Sequence, residues 1–253
     1  MRYPNITRLY KYCPYNENYL NILINRKIWF SNPESFNDPF DCKYKFKTEV
    51  DQSEFENYAH KYKPESLEKL KKLTNSDEDA KETRNKIIEG LTHYVNVELK
   101  NSGLFCMSRY DNNILMWSHY ADAHKGFCIE FERCKDNELG NFDRTRPVKY
   151  VSHNYEKVTV LNDKAYDMKF YTKAFEWKYE GEWRLINNKY EESWPLPAKI
   201  SAIIFGLRMC VHHKEIIKKF LSDLSHVNYR QAEEVPNQYR IKIVDEIGNK
   251  ENR

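Results

Sequence analysis

The residue types best suited to chemistry lie together in the window 115–127, which reads LMWSHYADAHKGF. This window begins with helical spacing and ends with the alternation of a β-strand. The end of a helix holds side chains rigidly and the turn that follows exposes them, so such a transition favours a functional site. We predict His119 as a hydrogen-bond donor to substrate or as an acid/base. The alternative is a structural histidine that anchors the helix to a sheet.

The spacing of the two histidines in this window argues against a metal site. His119 and His124 are five residues apart, which separates them by roughly 140° on a continuous helix. A metal site would need i, i+4 spacing or a turn between them, together with further ligands. We therefore expect no metal. Trp117, in the same window, is expected in the core more than as a stacking platform for a ligand.

A second candidate is Glu182, which opens a predicted strand next to Gly181. A carboxylate in this position could orient a ribose hydroxyl or stabilise an oxocarbenium-like centre as an N-glycosidic bond breaks. Glycine beside it allows a ligand to approach closely. The alternative is a structural ion pair of Glu182 with Arg184 or Arg208 at the edge of a sheet.

Two more polar pairs flank predicted strands. Lys11 and Tyr12 lie on the first strand, where a binding role is one interpretation and a structural role the other. Asn37 and Asp38 precede Pro39, which pushes Asp38 toward extended geometry. They are expected either to contact a ligand or to lock their own loop through Asx hydrogen bonds.

Composition excludes several classes of function. The formal net charge of the 253 residues is only +3, which gives no electrostatic argument for a DNA-binding domain. No apolar run reaches the roughly 18 residues that span a bilayer, and the N-terminus lacks the apolar core of a signal peptide. The six cysteines form no C-x-x-C pair, so we expect reduced cysteines in a cytoplasmic protein without a membrane partner.

Known catalytic motifs are also absent from the sequence. With seven glycines, it contains neither G-x-G-x-x-G nor a P-loop, so a nucleotide would be bound without a glycine-rich cradle. A metal-dependent nuclease would need a Glu-x-Lys that neither 130–132 nor 182–184 supplies. No G-x-S-x-G elbow occurs. A Cys–His nucleophile pair stays open, because spatial neighbours are invisible in a sequence.

Hydrophobic patterning predicts a mixed order of elements. Strands are predicted at 7–12, 27–30, 104–108, 126–132, 148–151, 182–186, 200–206 and 239–244, and helices at 16–26, 112–120, 164–175 and 212–224. The charged block 51–100 predicts two or three amphipathic helices, one with Leu67, Leu70 and Leu73 inward and the longest from Ser76 to about Leu99. We predict a single α+β domain over 1–253, with a helical insertion at about 51–100.

Several strings along the chain resemble a known family. They are Leu9–Tyr12, Ser31–Pro33, Phe36–Phe40, Phe105–Ser108, Met116–Phe127, Tyr179–Arg184 and Ile203–Gly206. On these strings the chain resembles the bacterial domain-of-unknown-function family 2971, whose name carries no activity. The order of parts is more distantly similar to ADP-ribosyltransferases, in particular to the DNA-modifying toxins among them.

The second resemblance implies a fold and a site. The fold would be a split, mixed or antiparallel sheet that binds NAD without a glycine-rich loop. The catalytic residues would be Glu182, His119 and Tyr120, with Lys11 (or Arg8) where those enzymes carry Arg or His. The cofactor-binding residues would be Lys11, Tyr12, Asn37, Asp38, Trp117, His124 and Arg184.

The function implied is ADP-ribosyl transfer or NAD hydrolysis in a toxin or phage-defence setting. NAD would be the substrate, and a protein or a nucleic acid the acceptor. The alternative is a non-catalytic module of the same family that binds a nucleotide-like ligand or a nucleic acid.

Overall fold

The order of strands and helices is mixed, as the hydrophobic pattern predicts. The computed structural model describes residues 1–47, 49–62, 65, 77–152, 157–190 and 193–246. Within them the strands are β1 (Arg8–Cys13), β2 (Lys27–Trp29), β3 (Gly103–Ser108), β4 (Phe127–Glu132), β5 (Thr145–Pro147), β6 (Lys149–Val151), β7 (Thr172–Ala174), β8 (Glu182–Asn187), β9 (Ser193–Pro195), β10 (Ile200–Phe205), β11 (Asn228–Glu234) and β12 (Ile241–Asp245). The α-helices are α1 (Glu17–Asn25), α2 (Gln52–Tyr62), α3 (Asp77–Asn101), α4 (Ile114–Tyr120), α5 (Ala165–Phe170) and α6 (Val211–Phe220), and 3₁₀ turns span Pro33–Ser35 and Phe175–Glu180.

The chain divides into two compact units. The first unit contains Met1–Ser31, Gly103–Val148 and Glu176–Arg253, and the second contains Asn32–Ser102 and Lys149–Phe175. In the first unit, Ser31 N donates to the Leu104 carbonyl at 3.0 Å and Leu104 N returns the bond at 2.9 Å. The expected single domain with an insertion at about 51–100 stays a prediction.

The first unit is built on a mixed sheet of eight strands in the order β12-β11-β10-β4-β1-β3-β8-β5. Neighbours pair antiparallel except β10 and β11, which pair parallel. This sheet and its helices confirm the α+β class. Within the described residues, β1 pairs with β4 along its whole length but with β3 only through Tyr10 and Ser108. The two strands diverge beyond that pair.

Each face of this sheet buries its own cluster, because side chains alternate along a strand. The apolar face carries Leu9, Phe105, Ile129, Leu185 and Phe205, and it packs with Leu23 of α1 and Ile217 of α6. The polar face carries Tyr10, Tyr12, Ser108, Cys128 and Glu182, and part of it packs with Met116 and Trp117 of α4. The two faces therefore have different chemistry.

The second unit contains α2, α3 and α5. Its buried cluster joins Phe55 and Ala59 of α2 to Ile88 of α3 and to Leu161. A buried ion pair joins Lys173 and Asp41 at 3.4 Å. The predicted set of Leu67, Leu70 and Leu73 and the predicted cap Ser76 lie outside the described residues. The predicted helix 164–175 was wrong in its second half, because β7 follows α5 and pairs parallel with β6.

Three consecutive non-glycine residues adopt left-handed backbone conformations after α4. Asp122, Ala123 and His124 have φ of 46°, 49° and 70°. The turn is held by His124 N donating to the Trp117 carbonyl at 3.1 Å and by Gly126 N donating to the Ala121 carbonyl at 2.8 Å. L-residues adopt this conformation at a cost that glycine avoids. The segment between α4 and β4 is therefore strained.

We expect Ala123→Gly to raise the free energy of unfolding by up to about 1 kcal/mol, because glycine relieves the left-handed strain. The matched control is Ala121→Gly, since Ala121 has φ −124° and is fully buried. The control should lower stability by about 1 kcal/mol or more. Urea unfolding of the two variants measures both effects. Equal destabilisation would contradict the strain argument.

Candidate functional site

Three polar side chains form a row across neighbouring strands on the polar face. Tyr10 of β1 lies opposite Ser108 of β3, and Ser108 lies opposite Glu182 of β8. Directly opposed residues in antiparallel strands point to the same side of a sheet. The register therefore places two hydroxyls and a carboxylate side by side, at the point where β1 and β3 meet.

Glu182 forms a two-pronged ion pair with Arg184. Arg184 Nε donates to Oε1 at 2.7 Å and its terminal nitrogen donates to Oε2 at 2.9 Å. The side chains are 0% exposed for Arg184 and 7% for Glu182. Cys106, opposite Arg184 on β3, has a raised pKa because of burial and the neighbouring Glu182. The structure therefore contains the ion pair with Arg184 that was the structural alternative for Glu182. This ion pair holds the carboxylate in one orientation.

A left-handed glycine separates two buried glutamates. Gly181 has φ +52°, and a Cβ added there would lie 2.5 Å from the Tyr110 ring. Both Glu180 and Glu182 are buried on either side of it. The Glu180 carbonyl accepts a hydrogen bond from the Ser108 hydroxyl at 2.6 Å. This bend therefore needs glycine both for its conformation and for its contact with Tyr110.

Helix α4 is attached to the segment that carries these glutamates. Asn113 caps the helix by accepting from the Leu115 and Met116 amides, and its side-chain nitrogen donates to the Tyr179 carbonyl at 2.9 Å. At the other end, the Tyr120 hydroxyl donates to Glu180 Oε1 at 2.6 Å. The window and the second candidate segment, far apart in sequence, therefore meet at this site.

Trp117 and His119, which also belong to the window, have different environments: the first is buried and the second is exposed. Trp117 is fully buried, donates through Nε1 to the Asp111 carbonyl at 2.8 Å and packs edge-on against Tyr12, so it belongs to the core. The Tyr12 hydroxyl donates to the Tyr110 carbonyl at 2.8 Å. His119 is exposed, with its ring 6.3 Å from that of Tyr179.

His124 lies in the strained turn, and its ring is nearly parallel to that of Trp117 at 6.4 Å. Its Nδ1 is buried without a hydrogen-bond partner among the described residues. Burial and the nearby Arg208 lower its pKa, so the ring is neutral at neutral pH. In the part of the chain that is described, no group of three His, Cys, Asp or Glu could hold a metal ion.

Lys11 points to the apolar face, because it alternates with Tyr10 and Tyr12. Its Nζ donates to the Cys106 carbonyl at 2.9 Å and lies 4.9 Å from the centre of the Phe105 ring. Burial would lower its pKa, but Tyr19, the nearby cysteines and Glu182 raise it above its usual value. Lys11 is therefore a cation, on the other face from Tyr12 and Glu182.

Asn37 and Asp38 belong to the second unit. Asp38 is buried, and its Oδ1 accepts from the Phe40 amide at 2.9 Å. This is the Asx turn expected as the structural alternative for this loop. A ligand-binding role of Asn37 and Asp38 stays a prediction.

Sequence reasoning missed Tyr10, Ser108 and Glu180. Burial and the nearby Glu130 and Asp111 raise the pKa of Tyr10 far above its usual value. Glu130 is 1% exposed and pairs with Arg8 at 3.0 Å and with Arg230 at 2.9 Å. The pattern Glu-Gly-Glu at 180–182 was the one local signal available, since the row itself depends on strand register.

Comparison with known proteins finds one match, and it covers this region. Residues 116–185 match the model of a family described as "Protein of unknown function (DUF2971)". The match includes most of α4, the 180–182 bend and most of β8. No curated protein and no solved structure matches the chain. Within the described residues, no helix is both long enough and apolar enough to cross a membrane.

We expect Tyr120→Phe to lower the free energy of unfolding by about 1.5–3 kcal/mol, because a buried carboxylate loses a donor. The control is Tyr239→Phe, where the side chain is 99% exposed and the change should be within about 0.5 kcal/mol. Urea unfolding measures both variants. Equal stability of the two variants would show that the Tyr120–Glu180 contact contributes nothing.

Proposed function

We propose that this protein cleaves the N-glycosidic bond between nicotinamide and ribose in NAD and transfers ADP-ribose to an acceptor. The observation that supports this most is the row of Tyr10, Ser108 and Glu182, with Tyr120 attached beside it through Glu180. A carboxylate beside hydroxyls on neighbouring strands suits a sugar, whose own hydroxyls need acceptors and donors. The resemblance to ADP-ribosyltransferases supplies NAD as the substrate.

In the proposed reaction, the bond from ribose C1′ to the nicotinamide nitrogen breaks and nicotinamide leaves with the electron pair. The ribosyl ring gains positive charge as the bond lengthens. The Glu182 carboxylate stabilises that charge electrostatically. An acceptor nucleophile then attacks C1′ and releases its proton to solvent. Water in place of the acceptor gives NAD hydrolysis.

The neighbouring residues have supporting roles in this proposal. Arg184 holds the Glu182 carboxylate in one orientation, and Glu180 positions the Tyr120 hydroxyl. His119 is exposed, where it is available to an incoming acceptor. Both a protein and a nucleic acid remain candidate acceptors, and the proposed setting is a bacterial toxin or phage defence in the cytoplasm.

A second candidate function is a binding module without catalysis. One observation favours it: Glu182 already has an oppositely charged partner, so its charge is partly compensated before any substrate binds. Such a module would hold a nucleotide-like ligand or a nucleic acid on the same face. The two functions differ in whether nicotinamide is released.

The experiment that separates them uses NAD labelled in the adenylate part, with the full chain and a mixture of protein and nucleic-acid acceptors. Labelled acceptor or free ADP-ribose, together with released nicotinamide, supports the enzyme. Calorimetry with NAD follows if nothing is released. Binding of NAD without turnover supports the module, and neither binding nor turnover rejects NAD as the ligand.

We expect Glu182→Gln to reduce nicotinamide release by roughly 10²–10³-fold per folded molecule, because the amide lacks the charge that stabilises the ribosyl cation. The matched control is Glu132→Gln, an exposed carboxylate at the end of β4, which should keep the full rate. Both rates are measured on the fraction that is folded by circular dichroism.

Stability is measured on the same variant, because Arg184 would lose its charged partner. Breaking a buried ion pair costs about 3–5 kcal/mol, which should appear as a lower melting temperature. A lower melting temperature with an unchanged rate per folded molecule would end the catalytic assignment of Glu182 and favour the binding module.

A further inference from the structure

A cavity of about 580 Å³ opens on the apolar face of the sheet, where β1 and β3 diverge. Lys11 and Phe105 contribute to it from these two strands, Ile22 from α1 and Ile28 from β2. Its volume lies within the range of about 300–1,000 Å³ that is typical of small-molecule sites. Every lining residue belongs to the first unit. The cavity lies on the opposite face from Glu182.

The polar lining is rich in uncharged hydrogen-bonding groups. Asn18, Asn21 and Asn25 lie at i, i+3 and i+7 of α1, so they share one side of the helix. Ser31 and Ser193 add hydroxyls. Amides and hydroxyls can each donate a hydrogen bond to an anionic oxygen. Among the lining residues that the structure describes there is no Asp or Glu.

Lys11 is a partly buried cation that lacks a carboxylate partner among the described residues. Of its three N–H groups, one donates to the Cys106 carbonyl. The nearby Glu182 carboxylate is held by Arg184. Arg133 shows how this protein otherwise accommodates a buried cation: its guanidinium donates to the carbonyls of four residues, Leu139, Tyr3, Ile6 and Arg2. Lys11 has one such acceptor and a cavity beside it.

The opening of the cavity is aromatic and basic. Trp29 lines it with half of its side chain exposed, and Lys27 adds a second cation at the same strand. An exposed indole is a surface on which a planar ring can stack. A ligand with an acidic group at one end and a ring at the other would meet Lys11 and Trp29.

We propose that this cavity binds a small organic anion, with a carboxylate or phosphate group on Lys11 and a planar ring against Trp29. The anion forms an ion pair with Lys11, which has none among the described residues, and the asparagine amides donate to its remaining oxygens. Carboxylate and phosphate share this chemistry, so the probes must separate them. The site is independent of the proposed NAD chemistry, because it uses the other face of the sheet.

The test is thermal unfolding of the full chain at constant ionic strength, with sodium chloride replaced by inorganic phosphate, benzoate or AMP. A ligand at 100 times its Kd should raise the melting temperature by roughly 5–10 °C in a protein of this size. Lys11→Gln keeps a donor for the Cys106 carbonyl but removes the charge, so it should lose the shift. Lys11→Arg should keep it, and Lys125→Gln is the control at an exposed lysine outside the cavity.

Two further variants make the outcome specific. Trp29→Ala should weaken benzoate or AMP binding by about two- to tenfold and leave inorganic phosphate unaffected. Glu182→Gln should keep the shift for every probe or increase it, because it removes a nearby negative charge and leaves Lys11 in place, which separates this site from the NAD proposal. A shift with benzoate alone identifies carboxylates, and one with phosphate or AMP alone identifies phosphates. No shift with any probe, or an equal shift in Lys11→Gln, would overturn the proposal.

Discussion

The pairing of Tyr10 with Ser108 is the contact on which the first unit depends. In the described part of the chain it is the one backbone register pair between β1 and β3, and so it lies where the five strands on one side of the sheet meet the three on the other. The Ser108 hydroxyl also holds the Glu180 carbonyl and accepts from the Tyr110 amide. Ser108 is therefore a partner in the β1–β3 register pair and also holds the bend before Glu182.

Charge on the polar face is compensated within the protein. Glu182 is paired with Arg184, and Glu130 lies between Arg8 and Arg230. Buried ions are tolerated when their partners and hydrogen bonds are complete, and removing one partner is costly. A substrate on this face would meet preorganised charges that need little rearrangement. Lys11, on the opposite face, forms no ion pair within the described residues and lines the cavity.

The sequence was informative wherever the signal is local. The alternation at 127–132 predicted β4, and the apolar helical run after Asn112 and Asn113 predicted a cap at one of them, which is Asn113. Trp117 was expected in the core and lies there, with its ring packed against Tyr12 and its indole N–H satisfied by the Asp111 carbonyl. The window and the 179–184 segment were both identified before their contact could be known.

The features that the sequence could not predict depend on contacts between residues that are far apart along the chain. The row through Ser108 exists only because the register of two strand pairs coincides at that residue. The three-residue strands β5, β7 and β9 are too short to carry a periodic signal, and they exist because a neighbouring strand offers hydrogen bonds. Lys11 and Tyr12 formed one candidate pair in the sequence, but side chains alternate along a strand, so the two residues lie on opposite faces of the sheet.

The reciprocal hydrogen bonds between Ser31 and Leu104 have a consequence for how this chain can change over evolutionary time. They bring together the points where the chain leaves the first unit and returns to it, so everything between them is a detour with closed ends. Closing a longer loop costs little extra entropy, about 0.6 kcal/mol for each doubling of its length. Insertions in its connecting segments should therefore cost little, provided that its contacts with Leu161 and Lys173 are kept.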